Sequence, residues 1–117
     1  MLAVTRRGEV WVANLNPYRG RETGKVQPVV VIQCDDLGAA VMPLVVCLPL
    51  TSQVHSGFSH WWVTLAACDR LLNPCQGVTD QPRTLDRARF GEGHLTTLTT
   101  DELAVVELSL KAVLGMW

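Results

Sequence analysis

The stretch GRETGKVQPVVVIQ, Gly20 to Gln33, packs reactive side chains beside an apolar run. Arg21, Glu22, Thr23 and Lys25 lie around two glycines, Gly20 and Gly24, and Pro28 then opens Val29, Val30, Val31 and Ile32. Two cations on a glycine-hinged loop suit the grip of a phosphate, and a carboxylate beside them can orient a cation or take a proton. Residues two apart on an extended segment face the same side, so Lys25 is expected to present its charge beside Gln27. Gln27 can donate hydrogen bonds through its amide but brings no charge. Further along, Thr51, Ser52 and Gln53 follow a second apolar run, and Gln81 and Arg83 flank Pro82. His55 and His60 come shortly after Thr51, where a histidine is an acid–base candidate. His94 reads as structural or exposed.

Composition narrows the class. The chain has 117 residues, 48% hydrophobic and 18% charged, which is sufficient for one domain, 1–117, with one core. The net charge is −1, so no global basic field points to nucleic acid. The distribution is uneven. Arg6, Arg7, Arg19, Arg21 and Lys25 face Glu9 and Glu22 in the first thirty residues, whereas Asp101, Glu102 and Glu107 face Lys111 at the C-terminal end. A basic front is compatible with a local anionic ligand. No apolar stretch approaches the ~20 residues of a membrane span, and a charge pair stands where a signal peptide would be apolar. The expected compartment is the cytoplasm. Cys34, Cys47, Cys68 and Cys75 form no Cys-x-x-Cys pair and read as buried free thiols, with no metal ligand set and no cofactor implied.

The elements that must carry these residues follow from periodicity. GEVWVANL, residues 8–15, reads as a strand, and a twelve-residue polar loop follows it, long enough to suggest function. PVVVIQC is a second strand, apolar enough to be central, with Pro28 at its tolerant first position. Residues 41–50 form a third strand, in which Pro43 and Pro49 suggest bulges or edges. HWWVTLAA is a fourth strand and GVTDQP a short fifth; RTLDRARFGEGHL divides between a helical turn and a strand. Trp11 reads as core, while Trp61 and Trp62 point to opposite faces of their strand. Thr99 and Glu102 have capping-box spacing, and Leu103, Val106, Leu110, Val113 and Leu114 make one apolar helical face. Glu107 and Lys111 are placed to pair four residues apart, and Gly115 ends the helix. About five strands and a helix imply a mainly β (α+β) domain with the helix packed on a small antiparallel sheet or barrel.

RRGEVWVANLNPYRGRETGKVQPVVVIQ, then VVCLPLTSQ, then GVTDQPRTLDRARFG, resembles the MazF/PemK family of bacterial toxins over nearly the whole chain. The resemblance implies an SH3-like β-barrel with a C-terminal amphipathic helix, in a homodimer. It implies a metal-independent endoribonuclease that cuts single-stranded mRNA, and an antitoxin whose acidic tail covers the RNA groove. Thr51 matches the family's threonine at the end of the third strand, and Glu22 an acidic position in the loop. Gln27 stands where the family has arginine, which leaves Lys25, and then Arg21, as substitute cations. Gln81, Arg83, Ser52 and Gln53 fall in regions that line the family's RNA groove. Two other readings accompany this one. A gyrase-binding toxin of the CcdB type would use the apolar end at Met116 and Trp117; a weakened member would mainly bind its antitoxin.

Overall fold

The computed structural model describes residues 4–37, 42–53, 63–66, 68–71 and 73–116. The described strands are β1 (Glu9–Asn14), β2 (Val26–Val31), β3 (Leu44–Thr51), β4 (Val63–Leu65), β5 (Cys75–Gly77), β6 (Arg83–Asp86) and β7 (Phe90–Thr97), followed by helix α1 (Thr100–Leu114). They pair antiparallel in the order β4-β5-β3-β2-β1-β7, with β6 also on β3. The sheet curls into a half-barrel carrying one C-terminal helix, as the mainly β reading required.

The apolar run of β2 is explained by burial on both faces. Val30 enters one core cluster with Val10, Leu48, Leu50 and Val106, on the side where Leu103 and Leu110 of the helix pack. Val29 and Val31 enter the other, with Trp11, Ala13, Leu15, Val45, Cys47 and Leu85. Trp11 is core as expected, 5% exposed, and meets Phe90 edge-on at 6.0 Å between ring centroids.

Pro49 sits buried inside β3 rather than at a free edge. β3 pairs with β6 up to Cys47 and with β5 from Leu50. The Pro49 carbonyl accepts from Val78 N at 2.9 Å, so the missing N–H points to the same side, into the gap where β3 changes partner. A proline costs no ladder bond there.

Among the described residues seven strands replace the five expected. The fifth strand lies at Cys75–Gly77 instead of 77–82, because Gln81 N closes a turn onto Val78 O at 3.1 Å. Residues 83–97 resolve into β6, a 3-10 turn at Arg87–Arg89 capped by the Asp86 carboxylate, and β7.

The helix N-terminus follows the sequence reading. Thr99 Oγ1 accepts from Glu102 N at 3.1 Å, the Glu102 carboxylate accepts from Thr99 N at 2.9 Å, and Gly115 ends the helix at φ 72°. Two expectations change. Leu114 is exposed, one residue before the helix ends at Gly115. Glu107 pairs with Arg7 at 2.5 Å rather than with Lys111. Arg7 also donates to the Ile32 carbonyl, and its backbone N–H donates to Asp35, so its guanidinium is already anchored. A fixed planar donor loses less entropy in pairing than a flexible ammonium.

The four thiols are free, but only two are buried. Burial pushes the Cys47 thiol up to about 12, against a smaller opposing pull from Arg83, and burial also raises Cys75. Cys34 and Cys68 are exposed, which corrects the expectation of four buried thiols. His55, His60, Trp61, Trp62 and Trp117 lie outside the described residues.

Candidate functional site

Register brings Gln27 and Thr51 together. β2 and β3 pair Val31 with Cys47, Val30 with Leu48 and Val29 with Pro49. Continuing that register by two residues on each strand sets Gln27 opposite Thr51. Gln27 extends the row of Val31 and Val29, so both polar side chains stand at the mouth of the second core cluster. A groove of about 240 Å³ opens there, lined by Gln27, Lys25, Thr51, Ser52 and Gln53, with Tyr18, Thr23 and Gly24 along the loop side.

Lys25 reaches the groove by a different route from the one expected. It precedes β2 and has φ 65°, so the alternation of an extended strand does not apply to it. Hydrogen bonds on both sides of the residue fix this left-handed turn. Lys25 N donates to Asn16 Oδ1 at 3.0 Å, and Lys25 O accepts from Leu15 N at 2.8 Å. These bonds close the neck of the loop between β1 and β2. Gly20 supplies a second positive φ, of 58°. Gly24 does a different job: a Cβ there would stand 1.8 Å from Cδ1 of Tyr18, so the bare backbone is what seats the ring.

The same loop is held from the β6 side. Gln81 Oε1 accepts from Thr23 N at 2.8 Å and from Thr23 Oγ1 at 3.1 Å. Arg83 Nη1 donates to Leu15 O at 2.8 Å and to Thr23 O at 3.3 Å. Arg89 Nη1 donates to Asn14 O at 3.0 Å and also to Asn16 O. Three side chains thus satisfy backbone groups of the loop and of the last residue of β1.

The remaining candidates divide. Thr51 Oγ1 accepts from Gln53 N at 3.2 Å, which leaves its proton free to donate into the groove. Gln27 is half-buried, and its side chain makes no hydrogen bond among the described residues, while its backbone pairs with Ala13 in the sheet. Ser52 and Gln53 are exposed on the groove wall. Arg21 is exposed on the loop and does not line the groove. Nor does Glu22, whose carboxylate accepts from Arg19 N at 2.6 Å and closes a turn of the loop. Tyr18 was missed by sequence reasoning, which looked to the tryptophans for aromatic contact. Its signal is the Asn-Pro-Tyr turn opening a functional loop.

Among the described groove residues Lys25 alone carries charge. Hydroxyls, amides and an ammonium converge on one space with no carboxylate among them, an arrangement that favours an anionic oxygen. No group of three or more His, Cys, Asp or Glu among the described residues could hold a metal ion.

Fold and groove together define a small curled-sheet protein with a polar groove where β2 begins and β3 ends, beside a clamped loop. Residues 6–114 match the model of the PemK-like, MazF-like toxins of type II toxin–antitoxin systems, and the chain belongs to that family. Solved structures agree. MazF from Deinococcus radiodurans is 30% identical, with 97% of this chain and 98% of that one covered and a TM-score of 0.81. A MazE–MazF structure from the same organism is 27% identical, covering 97% and 99%, at 0.75. An endoribonuclease in complex with its cognate antitoxin, from a Mycobacterial species, is 19% identical, covering 97% and 96%, at 0.73, and shares the fold.

Proposed function

We propose that this chain is an endoribonuclease toxin that cuts single-stranded mRNA in the cytoplasm without a metal, inhibits translation and growth, and is neutralised by an antitoxin. It acts as a homodimer in this reading. The observation that carries the proposal is the convergence of Thr51, Gln27 and Lys25 on one groove in a MazF-family fold. The substrate's own 2′-hydroxyl gives its proton to solvent and attacks the adjacent phosphorus, the 5′-oxygen leaves and takes up a proton, and a 2′,3′-cyclic phosphate remains. Charge builds on the non-bridging oxygens of the phosphorane, and donors already aimed at that point lower the barrier. Thr51 Oγ1 and the Gln27 amide donate to those oxygens. Lys25 supplies the positive charge that Gln27 lacks and can pass a proton to the leaving oxygen. Ser52 and Gln53 contact the flanking nucleotides, and exposed Arg21 attracts the backbone. Gln81 and Arg83 support the reading as holders of the loop that bears Lys25.

The test is incubation of the purified protein with a broad single-stranded RNA pool in EDTA. Cleavage leaving 2′,3′-cyclic phosphate ends is expected, and Thr51→Ala should lose it without unfolding. Intact RNA at high enzyme concentration would sink the proposal. Gln27 favours one second reading, a weakened toxin that mainly binds its antitoxin: it predicts intact RNA together with tight antitoxin binding.

A further inference from the structure

Tyr18 has features that the proposed chemistry leaves unused. Its side chain is 44% exposed although it lines the groove beside Lys25, Gln27 and Thr51. Among the described residues its hydroxyl makes no hydrogen bond and no other aromatic ring lies against it; the ring pairs among them are Trp11 with Phe90 and Trp11 with His94. Yet the ring is seated. The Cβ that Gly24 lacks would stand 1.8, 2.1 and 2.4 Å from Cδ1, Cγ and Cε1. Gly24 in turn is held between Thr23, clamped by Gln81 and Arg83, and Lys25, clamped by Asn16. A large aromatic fixed in place, with its remaining surface turned to an anion-binding groove, forgoes burial that the fold elsewhere secures. An unpaired base supplies the missing partner, because it offers a π-face next to a phosphate.

We propose that Tyr18 is a stacking platform for one unpaired RNA base, immediately flanking the phosphate that Lys25, Gln27 and Thr51 hold. This rests on the endoribonuclease reading and deepens it. The platform orders the strand across the groove, and it tolerates different bases because every base has a π-face. A ring that only covers Gly24 would be replaced equally well by leucine; a stacking ring would not.

Tyr18 is the chain's single tyrosine, so a sample labelled with 13C in tyrosine gives ring signals from this residue alone. The probe is a random pool of 2′-O-methyl octaribonucleotides, which cannot be cleaved, with binding read in parallel by fluorescence anisotropy. On binding, the ring signals should move upfield. Tyr18→Leu should weaken binding at least about fivefold, the low end for loss of one base–aromatic stack, while Tyr18→Phe should bind like the parent. Gly24→Ala, which unseats the ring without touching it, should match Tyr18→Leu. RNA binding with unmoved ring signals, or with Tyr18→Leu at parental affinity, would overturn the platform and leave the endoribonuclease reading intact. No RNA binding at all would overturn both.

Discussion

Arg83 and Gln81 look like RNA contacts in the sequence, yet both spend hydrogen bonds on the loop between β1 and β2. Their removal separates holding from touching. Arg83→Met keeps the aliphatic stem and deletes the donors to Leu15 O at 2.8 Å and Thr23 O at 3.3 Å. A good bond from a charged donor contributes about 1.5–3 kcal/mol and the longer one less, so roughly 2 kcal/mol of loop order is lost for this half-buried group. Gln81→Leu removes two neutral bonds to Thr23, again about 2 kcal/mol. About 2 kcal/mol corresponds to a roughly thirtyfold shift toward the open loop, since 1.4 kcal/mol is tenfold. Hydrogen exchange at the Leu15 and Lys25 amides reads that shift directly, because both close the loop neck. The RNA cleavage rate, followed over a series of salt concentrations, reads its consequence. Both variants should exchange faster and cleave more slowly, with the slope of log binding against log salt unchanged. The double variant should lose less than the sum, because both side chains act on Thr23. If Arg83→Met instead leaves amide exchange as it was and lowers the salt slope by about one, Arg83 touches a phosphate and the clamp reasoning fails.

Three further outcomes follow from other parts of the molecule. Lys25→Gly should raise the urea midpoint slightly, since glycine adopts φ 65° at no steric cost, yet slow RNA cleavage by roughly 10²-fold or more through loss of the groove's charge; an unchanged rate would remove Lys25 from the chemistry. Above pH 9.0 an unfolded Cys47 ionises while the folded thiol stays neutral to about 12, so stability is whole below pH 9 and falls by up to about 1.4 kcal/mol per unit above it; Cys47→Ala should flatten that part of the urea midpoint–pH curve. Thr99→Ala removes the side-chain half of the capping box and should cost about 1 kcal/mol in urea unfolding, with RNA cleavage per folded molecule unaltered.

Much of the fold was legible because it rests on local rules. The capping box at Thr99 and Glu102, the stop at Gly115, the central apolar run of β2 and the core position of Trp11 each follow from spacing or residue type. Strand count and boundaries were less legible near residues 75–97. There β5 and β6 are strands only because β3 offers them an edge, and β7 because β1 does, and no periodicity announces an edge supplied by a distant segment. Of the candidate site, the loop and the Thr51 cluster were visible as chemistry. The sequence also pointed to Glu107 and Lys111 as a pair, because it shows neighbours along a helix and not Arg7 arriving from the start of β1.

What this sequence determined by itself is the set of groups near the groove: a hydroxyl at Thr51, an uncharged amide at Gln27, an ammonium at Lys25 and glycines around them. What only the tertiary structure decided is how they meet. The antiparallel register of β2 and β3 sets Gln27 across from Thr51, and a left-handed turn, held by Asn16 and Leu15, delivers Lys25. Gln81, Arg83 and Arg89 tie down a loop 58 to 75 residues away, and Gly24 gives Tyr18 its seat. These are non-local contacts between backbone groups and side chains. They form only when the sheet has closed, because the chain entropy lost in joining distant segments is recovered by the packed core and not by the site itself.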